Sequence, residues 1–217
     1  MKPYVIGVTG GVGAGKSECL KYIEQKYYCR VIYADPEAAK LREKGEACYE
    51  ALVDLLGTEV LNEDGEIDPK KMAARIYGDE AMRHAVNAIL HPAVNARIRG
   101  IIEEERAAGK LDFVFVEAAL LIENGYESIV DELWYIHADA EVRRKRLKES
   151  RGYTDERIDG ILAGQLSEAE YRAHCAVVID NGDDMIKTKK QIDRVLGARY
   201  RANLLKADEL RDRVRAD

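Results

Sequence analysis

An apolar run, Tyr4-Val5-Ile6-Gly7-Val8-Thr9, leads without interruption into Gly10-Gly11-Val12-Gly13-Ala14-Gly15-Lys16-Ser17. Glycine, four residues and then Gly-Lys-Ser is the pattern of a phosphate-binding loop, and a strand-length run before it with a helical sequence after it is the setting that pattern requires. A chain that leaves a buried strand and enters a helix turns free backbone N–H groups inward, which makes a concave nest for oxygen anions. The glycines at positions 10, 11, 13 and 15 let the backbone close around a phosphate. Lys16 then reaches the β- and γ-phosphates as a compact charge, and the Ser17 hydroxyl takes one coordination position on Mg²⁺.

Apolar, β-rich runs recur at residues 30–34, 113–117, 133–137 and 176–179, separated by long helical patterns. Short and continuously apolar, they read as strands of a sheet covered on both faces. With the first strand they make five, joined by helical crossovers. This predicts an α/β, three-layer P-loop NTPase fold with a five-stranded parallel sheet and ligands at the strand carboxyl ends. The phosphate loop, Asp35, Glu117 and Asn181 all fall at such ends.

Two segments interrupt the alternation. Residues 36–109 carry almost no strand signal and read as a helical insertion, in which Asp68-Pro69 starts one helix and Gly78-Asp79 another, while His91-Pro92 is expected to break the second. Residues 141–171 hold Arg143, Arg144, Lys145, Arg146, Lys148, Arg151 and Arg157, with Gln165 following. Such a stretch reads either as a closing lid that neutralises phosphates or as a solvated helix face laced with Glu141, Glu149, Asp155 and Glu156. From Asp183 onward the chain reads as a helix with an apolar stripe of Ile186, Ile192, Val195 and Leu196 and a frayed end.

At 217 residues, 47% hydrophobic and 34% charged, the chain can bury one sizeable core plus a smaller attached region. A net charge of −6 argues against broad binding to nucleic acid or to an anionic membrane, so a small phosphate ester is the better partner. Cys19, Cys29, Cys48 and Cys175 show no metal-ligand spacing, and no leader or spanning segment is visible, so reduced thiols and a cytoplasmic location are expected.

Nearly the whole chain resembles the dephospho-coenzyme A kinase family. The resemblance is carried in order by VIGVTGGVGAGKS, VIYADPEA, AILHPAV, ALLIENG, RRKRLKESRGYTDERIDGILAGQ and VVIDNGD. It implies transfer of the ATP γ-phosphate to the ribose 3′-hydroxyl of dephospho-CoA, with ATP and Mg²⁺ bound and a monomer or weak homo-oligomer as the working unit. It implies a nucleotide-binding core of residues 1–35, 110–140 and 174–217, an acceptor-binding insertion of 36–109 and a lid of 141–173. By position, Asp35, Lys16 and Arg146 are the catalytic candidates, and Ser17 is the metal ligand. Nucleotide contacts fall to Gly11, Val12, Gly13, Ala14, Gly15, Lys16, Ser17, Glu18, Arg146, Arg151, Asn181 and Gly182. Acceptor contacts fall to Thr9, Asp35, His91, Pro92, Glu117, Leu120 and Leu121.

Each assignment has a plainer reading beside it. Asp35 before Pro36 is also a good helix N-cap, Asn181-Gly182 also a strand-ending turn, and His91 also a structural histidine. The family usually has aspartate where Glu117 stands, proline and phenylalanine where Ala119 and Ile122 stand, and an aspartate where Tyr33 stands. The Arg146 to Arg151 spacing is one residue longer than the family's, so Lys148 or Arg151 competes for the second lid contact. Two other functions stay open: a small-molecule P-loop kinase with a nucleoside or nucleoside monophosphate acceptor, and a non-catalytic nucleotide-binding module. A GTPase is disfavoured by the lack of an Asn-Lys-x-Asp element.

Overall fold

The computed structural model describes residues 2–118 and 120–216, with side chains described as far as Asn203. Five strands, β1 (Tyr4–Thr9), β2 (Cys29–Tyr33), β3 (Phe113–Glu117), β4 (Glu132–His137) and β5 (Val177–Asp180), form one parallel sheet in the order β2-β3-β1-β4-β5. The central strand β1 pairs with β3 from Tyr4↔Phe113 to Val8↔Glu117 and with β4 from Ile6↔Glu132 to Thr9↔Tyr135. Its residues Val5, Ile6 and Val8 are buried, as are Phe113 to Val116 on β3, which is why these strands are apolar throughout rather than alternating. Strand boundaries fall within a residue of the expected ones. The strand β2 ends one residue early because Ala34 opens a helix.

The chain forms two compact units, Met1–Val31 with Glu104–Asp217, and Ile32–Glu103. Residues 141–173 fall inside the first unit. That unit holds α1 (Lys16–Lys26), α6 (Ala140–Arg151), α7 (Asp155–Ala163), α8 (Glu168–His174) and α9 (Met185–Ala216). Its core is aromatic, with the Phe115 and Trp134 rings edge to face at 6.0 Å. Trp134 Nε1 donates to the buried carboxylate of Glu132 at 2.8 Å, and Arg199 from α9 grips the same carboxylate with Nη2 at 2.7 Å. A carboxylate can be buried at this depth because its lone pairs are met by charged and neutral donors together. On α9 the buried residues step by four, Thr188, Ile192 and Leu196, whereas Ile186 is 60% exposed. The expected stripe therefore loses Ile186, which lies six residues before Ile192 and hence on another face of a 3.6-residue helix. The expected frayed end lies outside the described side chains.

The second unit holds α2 (Ala34–Lys40), α3 (Tyr49–Leu56), α4 (Pro69–Ile76) and most of α5 (Glu80–Ala108). Asp68 caps α4 by accepting from the Lys70 N–H at 2.7 Å, and Asp79 Oδ1 accepts from Met82 N–H at 2.9 Å as α5 begins. Inside the unit, Glu37 on α2 is held by Lys40 Nζ and by Arg97 Nε from α5, each at 2.7 Å.

One expectation fails here. His91-Pro92 does not end a helix: α5 runs 29 residues with Pro92 inside it. An interior proline costs about 3 kcal/mol. Val86, Val94, Ile98 and Ile102 of the same helix are buried, at about 2 kcal/mol each, and packing outweighs the local break. Pro92 itself is exposed, so its ring meets water rather than the core.

Candidate active site

The phosphate loop is built where β1 ends. Gly15 takes φ 87°, a left-handed conformation open to glycine, and a Cβ there would run into the Asn181 amide. Gly11 is needed for a different reason: a Cβ on it would occupy the position of the Arg143 guanidinium and lie 2.8 Å from Gln165 Oε1. Lys16 Nζ donates to the Gly10 carbonyl at 2.8 Å and stands 3.6 Å from Glu117 Oε1 at the end of β3. Glu117 therefore supplies the negative charge beside the loop lysine. Ser17 is exposed in the first turn of α1, and its hydroxyl has no hydrogen-bond partner among the described residues. Glu18 is exposed beside it.

Asn181 ties the end of β5 to this loop. Its Nδ2 donates to the Ala14 carbonyl at 2.8 Å, its Oδ1 lies 3.1 Å from the Thr188 hydroxyl, and its backbone N–H donates to His137 O at 2.7 Å. Both ends of the amide are thus engaged within the protein, and the backbone N–H of the following Gly182 donates to Asp180 Oδ1 at 2.8 Å. Arg146 closes the same corner, donating from Nη2 to Asn181 O at 2.8 Å and from Nη1 to Ala14 O at 3.4 Å. Cys19 sits behind the loop as a neutral thiol: burial pushes its pKa up to about 12, although Arg146 pulls the other way.

The basic stretch on α6 divides by face. Arg144 pairs with Asp155 at 2.9 Å and with Asp159, Lys148 with Asp155 at 2.7 Å, and Lys145 with Glu149 at 4.0 Å. Arg151 is exposed and lies over the Tyr153 ring, with Arg157 over the same ring at 3.8 Å. Arg143 and Arg146, one turn apart on the other face, have no carboxylate within 4.0 Å among the described residues and lie on the loop. The outer face is thus the ion-paired helix face that one reading expects, and the inner face carries Arg143 and Arg146 toward the loop. The sequence reading passed over Arg143, yet its three-residue spacing from Arg146 was the available signal, because residues i and i+3 share a helix face.

The remaining candidates sort as follows. Thr9 is buried with its hydroxyl unpartnered. Leu121 is fully buried, its Cδ1 near Gly7, so its side chain is spent on the core, whereas Leu120 is 45% exposed. Ala119, one of the family departures, lies outside the described residues. In the second unit, Asp35 is the second residue of α2 rather than a cap, because the helix begins at Ala34. Its carboxylate is exposed and engages no described residue. His91 is half-buried, its ring without a hydrogen bond to any described residue.

Burial also raises the pKa values of Cys29, Cys48 and Cys175, and all four cysteines are free. Thiol nucleophiles are therefore not prepared. Among the described residues no group of three or more His, Cys, Asp or Glu could hold a metal ion, and no helix is long and apolar enough to cross a membrane.

A phosphate nest on the central strand of a parallel sheet, with a lysine at its mouth and an arginine-bearing helix across it, defines a P-loop kinase. Residues 4–187 match the family model for dephospho-CoA kinase, and the chain belongs to that family. A dephospho-CoA kinase from Streptococcus mutans is 34% identical over 196 residues, covering 88% of this chain and 96% of the relative. One from Carboxydothermus hydrogenoformans is 31% identical over 192 residues, covering 88% and 92%. The crystal structure of TT1252 from Thermus thermophilus superposes with a TM-score of 0.74 at 27% identity, covering 91% of this chain and 98% of that one.

Proposed function

We propose that this chain transfers the γ-phosphoryl group of ATP to the ribose 3′-hydroxyl of dephospho-CoA, producing coenzyme A and ADP. The observation that carries this reading is the family match across residues 4–187, which contains an intact Gly10–Ser17 loop with Lys16 beside its mouth. The loop's N–H groups and Lys16 seat the β- and γ-phosphates. In-line attack forms the O3′–Pγ bond as the bond from Pγ to the β–γ bridging oxygen breaks, that oxygen leaving on ADP. The hydroxyl proton passes to Asp35, whose exposed carboxylate is committed to no cap or ion pair among the described residues.

Ser17 fits a nucleotide-borne Mg²⁺, because its hydroxyl is unengaged and such a cation draws most of its ligands from phosphate and water. When bound there, Mg²⁺ neutralises charge on the β- and γ-oxygens. Arg146 bridges Ala14 and Asn181 and so presents a planar cation at the nucleotide-facing corner of the loop. His91, Pro92, Glu117 and Leu120 are assigned to the acceptor on the strength of the family resemblance.

ADP release by the purified chain with ATP-Mg²⁺ tests the proposal, comparing dephospho-CoA with a panel of nucleosides and nucleoside monophosphates. Turnover confined to dephospho-CoA is the expected result. Preference for another acceptor would assign the departures at Glu117 and Ile122 to changed specificity and overturn the reading.

A further inference from the structure

Among the described residues only two buried side-chain polar atoms lack a hydrogen-bond partner, Thr9 Oγ1 and Arg143 Nε. Both lie at the phosphate loop: Thr9 is the last residue before it, and the Arg143 guanidinium packs directly on Gly11. Buried donors are ordinarily satisfied, so an orphaned one beside an anion nest calls for an acceptor. Arg143 carries five N–H donors, of which Nη1 gives one to Gln165 Oε1 at 2.9 Å. No described carboxylate lies within 4.0 Å of it, whereas Arg144, Lys145 and Lys148 on the outer face of α6 are all neutralised.

The position specifies which phosphate. Lys16 Nζ rests on the Gly10 carbonyl, and Arg143 stands over the next residue, so both cations occupy the end of the loop that serves the β- and γ-phosphates. Arg146, in contrast, already spends Nη1 and Nη2 on the carbonyls of Ala14 and Asn181. We propose that Arg143 is a catalytic residue that binds the oxygens of the transferring phosphoryl group, and that Gln165, from the α7–α8 connection, is the positioning residue that holds its guanidinium over Gly11. The assignment rests on the kinase reading above. A planar fork placed before the reaction stabilises charge as it develops without reorganising at that moment.

The test uses the full chain and five variants, Arg143→Ala, Arg143→Lys, Gln165→Ala, Lys145→Ala and the double variant Arg143→Ala/Gln165→Ala, each checked for an unchanged melting temperature. Arg143→Ala should lower kcat with dephospho-CoA about 100-fold while the KM for dephospho-CoA stays within about twofold. Arg143→Lys should recover about a tenth of the lost rate, because it restores charge without the fork. Gln165→Ala should cost about tenfold and add nothing in the Arg143→Ala background, since coupled residues are not additive. Lys145→Ala, on the outer face, should match the parent. Titration with ATP-Mg²⁺ and with ADP-Mg²⁺, without acceptor, separates the two proposals: Arg143→Ala should weaken ATP about tenfold more than ADP. If the parent ignores dephospho-CoA, the acceptor assignment fails, and the titrations alone still decide the role of Arg143. Unchanged ATP-to-ADP discrimination in Arg143→Ala, or full rescue by lysine, would overturn it.

Discussion

Asp35 and Lys16 make different demands on the same reaction, and their substitutions separate them. Asp35→Asn keeps size and removes the proton acceptor, so turnover should fall by about 100-fold or more with ATP affinity nearly unchanged. Normal turnover would remove Asp35 as the base. Lys16→Ala takes away a charge that is both a ground-state and a transition-state contact, so ATP binding and kcat should fall together in calorimetry and steady-state assays. The two residues also differ in how they were legible. Lys16 follows from a local pattern whose chemistry is fixed by chain direction. Asp35 had two compatible readings, cap and base, and the start of α2 at Ala34 removes the first. Asn181 was read as an amide for a base edge, and its actual commitment to Ala14 and Thr188 depends on a contact 167 residues away in sequence, which no local pattern encodes.

At the level of elements, strands were the easy part. A continuous apolar run in an α/β chain has one stable destination, and the five runs land on the five strands. The failures are helices. Pro92 was expected to stop α5, because a local rule was applied to a segment whose buried Val86, Val94, Ile98 and Ile102 outweigh it. The α6 segment stayed ambiguous because composition counts charges without assigning them to faces. If Pro92 is only tolerated, Pro92→Ala should restore a backbone hydrogen bond and raise stability by about 1–2 kcal/mol, net of the greater entropy of the unfolded chain. For a chain of this size that is a rise in melting temperature of about 2–8 °C by calorimetry. A fall would mean that the proline ring has a role of its own in α5.

For the whole molecule, a net charge of −6 hides the way its carboxylates are used. Glu37 in the second unit and Asp193 in the first are both partly buried, which alone would raise their pKa values. Hydrogen bonds from Lys40 and Arg97 to Glu37, and from Lys26, Tyr27 and Tyr22 to Asp193, more than reverse this and hold both below the ordinary range. A carboxyl group whose pKa is lower folded than unfolded contributes stability that is complete above its unfolded pKa and is lost as pH falls through the folded one. The chain should therefore melt at a nearly constant temperature above about pH 5 and lose stability progressively below about pH 4. Glu37→Gln isolates one contributor, because it keeps the shape and cannot carry the charge that Lys40 and Arg97 face at 2.7 Å. At pH 7 the variant should be less stable by about 1–3 kcal/mol, since Lys40 and Arg97 each lose a carboxylate 2.7 Å away. As pH falls through the folded-state pKa of Glu37, which its two cations hold below the ordinary carboxylate range, the parent protonates Glu37 and comes to resemble the variant, so the gap should shrink and close. Paired melting curves from pH 3 to pH 8 measure this directly. A gap of the same size at every pH would show that Glu37 contributes packing and neutral hydrogen bonds rather than charge.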